Sequence, residues 1–238
     1  MTRPAPHTPD RVTCWHVQLP KAVGAQDYEI LDAAEQARAD ALPEPARRVQ
    51  YIAAHAALRR ILGAAIGARP EQLSIQSERH GRPVLAHQGA PHFSLSHSGE
   101  AAMIALCPTA RLGVDLEQRR PRPKARRLVE RLFAPAERDL LLPLPAAAFD
   151  TGFSRLWVLK EAYIKADGRG LACPLAGFAI DPFALRLLCS APGFPSGVQL
   201  SYKEVGNNFD SALVVCSTQP VEIEHRVLDM RVNMERAA

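Results

Sequence analysis

The chain has 238 residues, 47% of them apolar and 23% charged, with a formal net charge of +4, which reads as a soluble globular protein with one large core or two small ones and a lean toward anionic partners. Five scattered cysteines (Cys14, Cys107, Cys173, Cys189 and Cys216) form no CxxC pair and no zinc-finger spacing, so a disulfide framework and a structural zinc site are excluded and reduced thiols are expected. No stretch reaches the roughly 18 apolar residues of a membrane span, and "MTRPAPHTPD" lacks the apolar region of a signal peptide, so a cytoplasmic protein without a membrane partner is expected.

Taken in order, residues 1–10 read as a disordered tail. "VTCWHVQL" then alternates like a strand, closed by Pro20. Alanine, leucine and arginine favour helix from Ala33 to Ala41 and again from Pro45 to Ile66, where Val49, Ile52, Ala53, Ala56, Ala57, Arg60 and Gly63 recur at three- and four-residue steps. "LSIQSER", "HGRPVLAH", "PHFSLSHS", "AAMIALC" and "RLGVDLE" are short strands punctuated by glycine and proline. Helices follow from about Lys124 to Phe133 and from Pro135 through Leu142, then a proline-punctuated connector, "LPLPAAAFDTG". The segment "LWVLKEAYIKADGRGL" reads as the next helix, followed by strand-like "FAIDPF", "GVQLSYKEV" and "SALVVCST". Helices before strands, twice over, predict an α+β architecture: an N-terminal lobe over 11–112, a C-terminal lobe over 113–226 and a C-terminal tail over 227–238, with no sequence repeat between the halves.

Three constellations carry chemistry. In "LGVDLEQRR" the residues two apart share a face, so Asp115 and Glu117 lie side by side while Val114 and Leu116 point into a core. Like charges that close repel unless a cation intervenes, and hard oxygens suit Mg²⁺ or Mn²⁺; alone, D-x-E is a common solvated strand end. In the tryptophan-bearing helix, Trp157, Glu161, Ile164, Lys165 and Gly168 lie along one side. A Glu161–Lys165 pair on a wet helix is worth only about 0.3–0.5 kcal/mol, but the tryptophan places that stripe at a cleft edge. There Glu161 can supply a third oxygen and Lys165 a phosphate contact. Gly168 suits a left-handed cap, and Gly170 permits close backbone approach. The third piece joins the Gly81-Arg82-Pro83 turn to Ser96-His97-Ser98-Gly99, both hospitable to anions. There is no GxSxG elbow around Ser96 to support a hydrolase.

These pieces, "GRP" with "FSLSHS", then "GVDLE", then "WVLKEAYIKADGRGL", resemble the 4'-phosphopantetheinyl transferase superfamily in its longer two-half form, typified by activators of surfactin-like peptide synthetases. The similarity runs from the Arg59-Arg60 helix to about Leu171, and W-x-x-K-E-x-x-x-K followed by G-x-G-L is its specific part. The resemblance implies two similar α/β lobes, a pseudo-dimer within a monomer, with coenzyme A between them. It also implies Mg²⁺-dependent transfer of the phosphopantetheine arm to a serine of an acidic apo carrier protein, releasing adenosine 3',5'-bisphosphate. By motif position Asp115, Glu117 and Glu161 match the metal-binding carboxylates, Glu161 also being the candidate base, and Lys165 would neutralise the leaving phosphate. Ser96, His97, Arg82 and Lys160 match positions near coenzyme A, and Arg59 an upstream 3'-phosphate contact, with Arg47 and Arg48 as neighbouring candidates. One departure stands out: where the family commonly has F-N-x-S-H-S, this chain has Ser94 in place of the asparagine.

The basic run "RRPRPKARRLVER", Arg119 to Arg131, reads as a solvated loop and helix start or else a docking surface for an acidic carrier protein, and raises a nucleic-acid-binding module as a first rival; a catalytically inactive carrier-binding paralogue is a second, separate rival. The run's prolines and lack of interleaved aromatics disfavour the first, so no nucleic-acid partner is expected. The presence of all three carboxylates disfavours the second.

Overall fold

The structure, a computed structural model, describes residues 10–195 and 197–230. In chain order the elements are β1 (Asp10–Gln18), α1 (Ala25–Glu29), α2 (Ala33–Asp40), α3 (Pro45–Ile66), β2 (Ile75–Ser77), β3 (Pro83–Leu85), β4 (His92–Ser98), β5 (Ala101–Cys107), β6 (Leu112–Gln118), α4 (Ala125–Leu132), α5 (Pro135–Leu141), α6 (Ala146–Asp167), β7 (Ala179–Asp181), β8 (Arg186–Cys189), β9 (Gln199–Val205), β10 (Phe209–Val215) and β11 (Val221–Asp229). The expected α+β class holds. Of the expected N-terminal tail, residues 1–9 lie outside the described residues, and Asp10 already belongs to β1.

Two sheets organise the molecule, one ordered β11-β1-β5-β4 and the other β6-β10-β9. Every neighbouring pair in them is antiparallel except β1 with β11, which run parallel. Alternation along each strand sets what lies on either face. Val17, Phe93, Ile104 and Leu106 meet α3, whose Ala53, Ala57, Leu58, Ile61 and Leu62 are small or aliphatic enough to let the helix lie close. The opposite face of that sheet, Val12, Cys14, Met103, Ala105 and Cys107, packs on Val114, Leu116, Leu213 and Val215 of the second sheet. Beyond it, Ala212 and Val214 meet Leu159, Ala162, Tyr163 and Ala166 of α6. The succession is therefore helix, sheet, sheet, helix. The two long helices each end on a glycine in the left-handed region, Gly67 at φ 69° and Gly168 at φ 83°, the conformation that stops a helix without a Cβ penalty.

Two expectations are corrected. The connector "LPLPAAAFDTG" is in large part helix, because α6 starts at Ala146: Pro145 caps it, its carbonyl accepting from Phe149 N–H at 2.8 Å. Proline costs little there, since the first N–H groups of a helix have no intrahelical partner. The expected tail from 227 is also revised. β11 continues through Asp229, pairs with β1 from Asp10↔Val221 to Gln18↔Asp229, and is followed by Met230, which is 3% exposed. Residues 231–238 lie outside the described residues.

Candidate active site

The site begins where β6 crosses α6. A Cβ on Gly113 would overlap the carbonyl oxygen of Ala162 and the amide nitrogen of Ala166, and lie 2.9 Å from the Lys165 carbonyl carbon. Only glycine allows this backbone-on-backbone approach. Two residues further along the same strand face is Asp115, whose Oδ1 accepts from Lys165 Nζ at 2.7 Å. The stripe inferred for this helix is present: Trp157, Glu161, Ile164 and Lys165 are all half-buried.

β4 and β6 are the facing edges of the two sheets, and serine side chains stitch them together. Ser94 Oγ accepts the Val114 N–H at 3.1 Å, Ser98 Oγ accepts the Gln118 N–H at 3.1 Å, and Ser96 Oγ donates to Asp115 Oδ1 at 2.8 Å. Every second residue of "SLSHS" thus points into the seam, satisfying strand-edge groups that no backbone partner reaches. Ser94, the departure from the family pattern, has a role here: it ties the strand carrying Asp115 to the neighbouring sheet.

Asp115 is 4% exposed; its Oδ1 is shared by Ser96 and Lys165, while its Oδ2 is buried with no hydrogen-bond partner. Such an orphaned oxygen costs on the order of 1–3 kcal/mol, more when charged. Burial, followed by the charge of Asp115, raises the pKa of both Glu117 and Glu161. The three carboxyls therefore sense one another across the β6–α6 junction. Among the described residues no group of three or more His, Cys, Asp or Glu side chains is gathered closely enough to form a complete metal site. Lys165 lies on Asp115 instead, and Arg122 Nη2 lies 3.2 Å from Glu117 Oε2. The donor set, hard oxygens with one unsatisfied, fits a divalent cation of the Mg²⁺ type.

Beside this junction opens a cavity of about 300 Å³ whose walls include Glu35, His55, Arg82, Ser94, Lys165 and Gly168. The β2–β3 hairpin delivers Arg82: Gly81 adopts φ 88°, and Glu78 N–H donates to the Arg82 carbonyl at 2.8 Å. Arg82 is 8% exposed, and its stem lies against the cap of α6, where a Cβ on Gly168 would come within 3.0 Å of Arg82 Cδ. Its nearest carboxylate oxygen, on Glu78, is 4.0 Å away; burial and then Arg111 lower its guanidinium pKa. His97 lines an adjoining groove with Arg47, Gln50, Tyr51, Ser98 and Arg120. Crowding in that groove, then His55 and Lys165, lowers its imidazole to about 4, although solvent reaches the side chain.

Two sequence-derived contacts are corrected. Arg59 is 0% exposed and spends its donors internally: Nε on Glu35 and Nη2 on Asp32, each at 2.5 Å, and Nη1 on the Pro70 and Leu73 carbonyls, each at 3.1 Å. Asp32 and Glu35 also form the capping box of α2, so Arg59 locks α2 to α3 and, fully buried, does not line the cavity. Lys160, also 0% exposed, donates to Glu137 at 2.6 and 2.8 Å and to the Phe178 carbonyl at 3.1 Å. Burial lowers Lys160 to about 8 and raises Glu137, while their mutual attraction opposes both shifts. Sequence reasoning also missed Arg122, His55 and Glu35, none of which carries a motif signal.

Hard carboxylate oxygens stand beside a cavity walled by an arginine and a lysine, groups whose chemistry suits phosphate oxygens. The profile of the 4'-phosphopantetheinyl transferase superfamily matches residues 111–196, a span containing Asp115, Glu117, Glu161 and Lys165. The chain is 36% identical over 168 residues to the 4'-phosphopantetheinyl transferase HetI of Nostoc sp. strain PCC 7120, covering 68% of this chain and 71% of that one. It is 32% identical over 145 residues to a putative 4'-phosphopantetheinyl transferase of Synechocystis sp. strain PCC 6803, covering 60% of this chain and 59% of the relative. To the 4'-phosphopantetheinyl transferase Sfp of Bacillus subtilis strain 168 it is 29% identical over 108 residues, covering 45% of this chain and 47% of the relative. The chain belongs to the 4'-phosphopantetheinyl transferase superfamily. It is an enzyme of that class.

Proposed function

We propose that this chain transfers the 4'-phosphopantetheine arm of coenzyme A to a serine hydroxyl of an apo carrier protein, releasing adenosine 3',5'-bisphosphate. The observation that carries the reading is the 2.7 Å contact of Lys165 with Asp115, at the wall of a cavity that also holds Arg82. Arg82, poorly neutralised within the protein, and Lys165 attract the anionic nucleotide half of coenzyme A. Asp115, Glu117 and Glu161 would hold Mg²⁺ or Mn²⁺, which when bound neutralises diphosphate oxygens as charge shifts between them. Glu161, its pKa raised by burial and by Asp115, accepts the serine proton as oxygen bonds to phosphorus. The bond from that phosphorus to the departing bisphosphate breaks, with Lys165 one helical turn away to offset the released charge. In a loose phosphoryl-transfer transition state, positioning matters more than the strength of the base.

The two-lobe reading is part of the proposal. Each half contributes a 22-residue helix laid on a largely antiparallel sheet, and the cavity draws walls from both, consistent with a pseudo-dimer divided near Leu112 and with the longer surfactin-synthetase-activating type. The basic run is spent largely on the protein itself. Arg119 pairs with Asp210 and Glu204, Arg122 with Glu117, and Arg126 donates to the Leu142 and Leu144 carbonyls. That weighs against a nucleic-acid-binding module and leaves a mildly basic rim for an acidic carrier protein.

The test is incubation with coenzyme A, Mg²⁺ and a panel of apo carrier proteins, read by mass spectrometry of the carrier. A mass gain of one phosphopantetheine on the acceptor serine is expected; no gain on any carrier sinks the reading.

A further inference from the structure

We infer that His55 is a phosphate contact for coenzyme A, held in place by Glu35 and, behind it, by the buried Arg59. The inference rests on the coenzyme A reading of the cavity and adds a residue that no sequence motif singled out. His55 lies on α3 and lines the same cavity as Arg82 and Lys165. Its ring is fixed twice. Nδ1 lies 2.9 Å from Glu35 Oε1, and the ring stacks on Tyr51 with centroids 4.0 Å apart and planes 25° apart.

Glu35 accepts from Arg59 at 2.5 Å and from the Asp32 N–H at 3.1 Å, both through Oε2. A carboxylate so engaged can only accept from His55, which places a hydrogen on Nδ1 and leaves Nε2 as the ring nitrogen with no protein partner among the described residues. The His55 side chain is 19% exposed, enough for a ligand oxygen in the cavity to reach it. The charges of Asp32 and Glu35 are offset by Arg59 and, once it holds a second ring proton, by His55. A phosphate oxygen at Nε2 would share a second ring proton and complete a chain from Arg59 through Glu35 and His55 to the ligand. The buried arginine then acts through two neighbours rather than touching the ligand, a role of the kind that second partners play behind metal-bound histidines.

Calorimetric titration of wild type and His55→Gln with coenzyme A and with dephospho-coenzyme A tests this. Glutamine can keep the hydrogen bond to Glu35 but cannot present the second ring donor. A loss of about tenfold or more in affinity for coenzyme A is expected, the size of a hydrogen bond to a charged group, with a thermal midpoint close to wild type. A loss confined to coenzyme A assigns the contact to the 3'-phosphate; an equal loss for both ligands assigns it to the diphosphate. Binding within about twofold of wild type for both ligands overturns the inference, and so does a loss no larger than the unfolded fraction of the variant explains. If His55→Gln is too unstable to titrate, His55→Asn, which likewise lacks the second ring donor, is read by the same criteria. Wild type that binds no coenzyme A instead refutes the functional reading on which the inference stands.

Discussion

Lys165 Nζ donates to the same oxygen of Asp115 that accepts from Ser96, at 2.7 and 2.8 Å, while the other Asp115 oxygen is buried without a partner. One carboxylate thus joins strand, helix and the neighbouring sheet and has one oxygen unsatisfied by protein groups. Asp115→Asn should cut transfer by more than the roughly 100-fold typical of losing a group one step removed from a metal. The fold should survive, because relief of repulsion with Glu117 and Glu161 offsets the lost ion pair. Steady-state rates and a thermal melt check both halves; turnover near wild type would remove Asp115 from the site. Lys165→Ala should lower kcat more than it raises KM for coenzyme A, since its charge is needed most as the bisphosphate leaves.

Gly113→Ala replaces no proposed site residue yet should impair the enzyme. The added methyl would press on the backbone of α6 at Ala162, Ala166 and Lys165, where relief requires moving the whole helix. Overpacking typically costs about 1–3 kcal/mol, and a backbone clash should lie at or above the top of that range. Whatever protein folds should carry Lys165 displaced from Asp115. Chemical denaturation gives the first effect and kcat of the folded fraction the second; an unchanged kcat would disprove the link between this crossing and the chemistry.

Arg59 and Lys160 should behave as structural residues. Arg59→Met leaves the half-buried carboxyls of Asp32 and Glu35 without their shared cation, and Lys160→Met strands Glu137 in the core. Breaking a buried ion pair from one side costs about 3–5 kcal/mol. The double change Lys160→Met with Glu137→Leu should recover most of its share, because two apolar groups leave no buried charge unpaired. Equilibrium unfolding in urea decides; a double variant as unstable as the single one would contradict this account.

Stability should also carry a signature of Glu35. Burial alone would raise its pKa, but hydrogen bonds from His55 and Arg59 prevail and hold it below the ordinary 4.5. The folded protein therefore binds fewer protons than the unfolded chain in the window beneath that value. The stabilisation is complete above it and drains away as pH falls through the lowered pKa. Glu35→Gln has no such proton to take up. Its deficit in urea midpoint against wild type should be widest near neutrality and shrink once pH drops below 4.5; a constant deficit would mean that Glu35 contributes through packing alone.

Much of this was legible in the sequence. The helix at Pro45–Ile66 and the strand carrying Asp115 and Glu117 were found with their faces, because alternation and three-to-four spacing report directly on burial. The stripe from Trp157 to Gly168 likewise stood where its spacing put it. What spacing does not report is the direction of one arginine among alanines. Arg60, assigned to the apolar stripe, is half-buried against Asp27, whereas Arg59 is the one fully enclosed, because carboxylates 24 and 27 residues earlier wait for it. Lys160 was misread for the same reason: its partner Glu137 lies on another helix. Both errors concern long-range ion pairs, which leave no periodic trace. The Pro145 boundary and β11 were missed where proline and charged residues looked like connectors.

The parallel pairing of β11 with β1 has a consequence for dissecting the molecule. Because the last described strand returns to the first sheet, cutting near residue 112 would give an amino-terminal piece with β1 as a bare outer strand, its row of N–H and C=O groups open to any passing chain. Neither piece should be well behaved in isolation. Co-expressed, the two should find each other by strand addition, rebuilding a ligand cavity that neither owns.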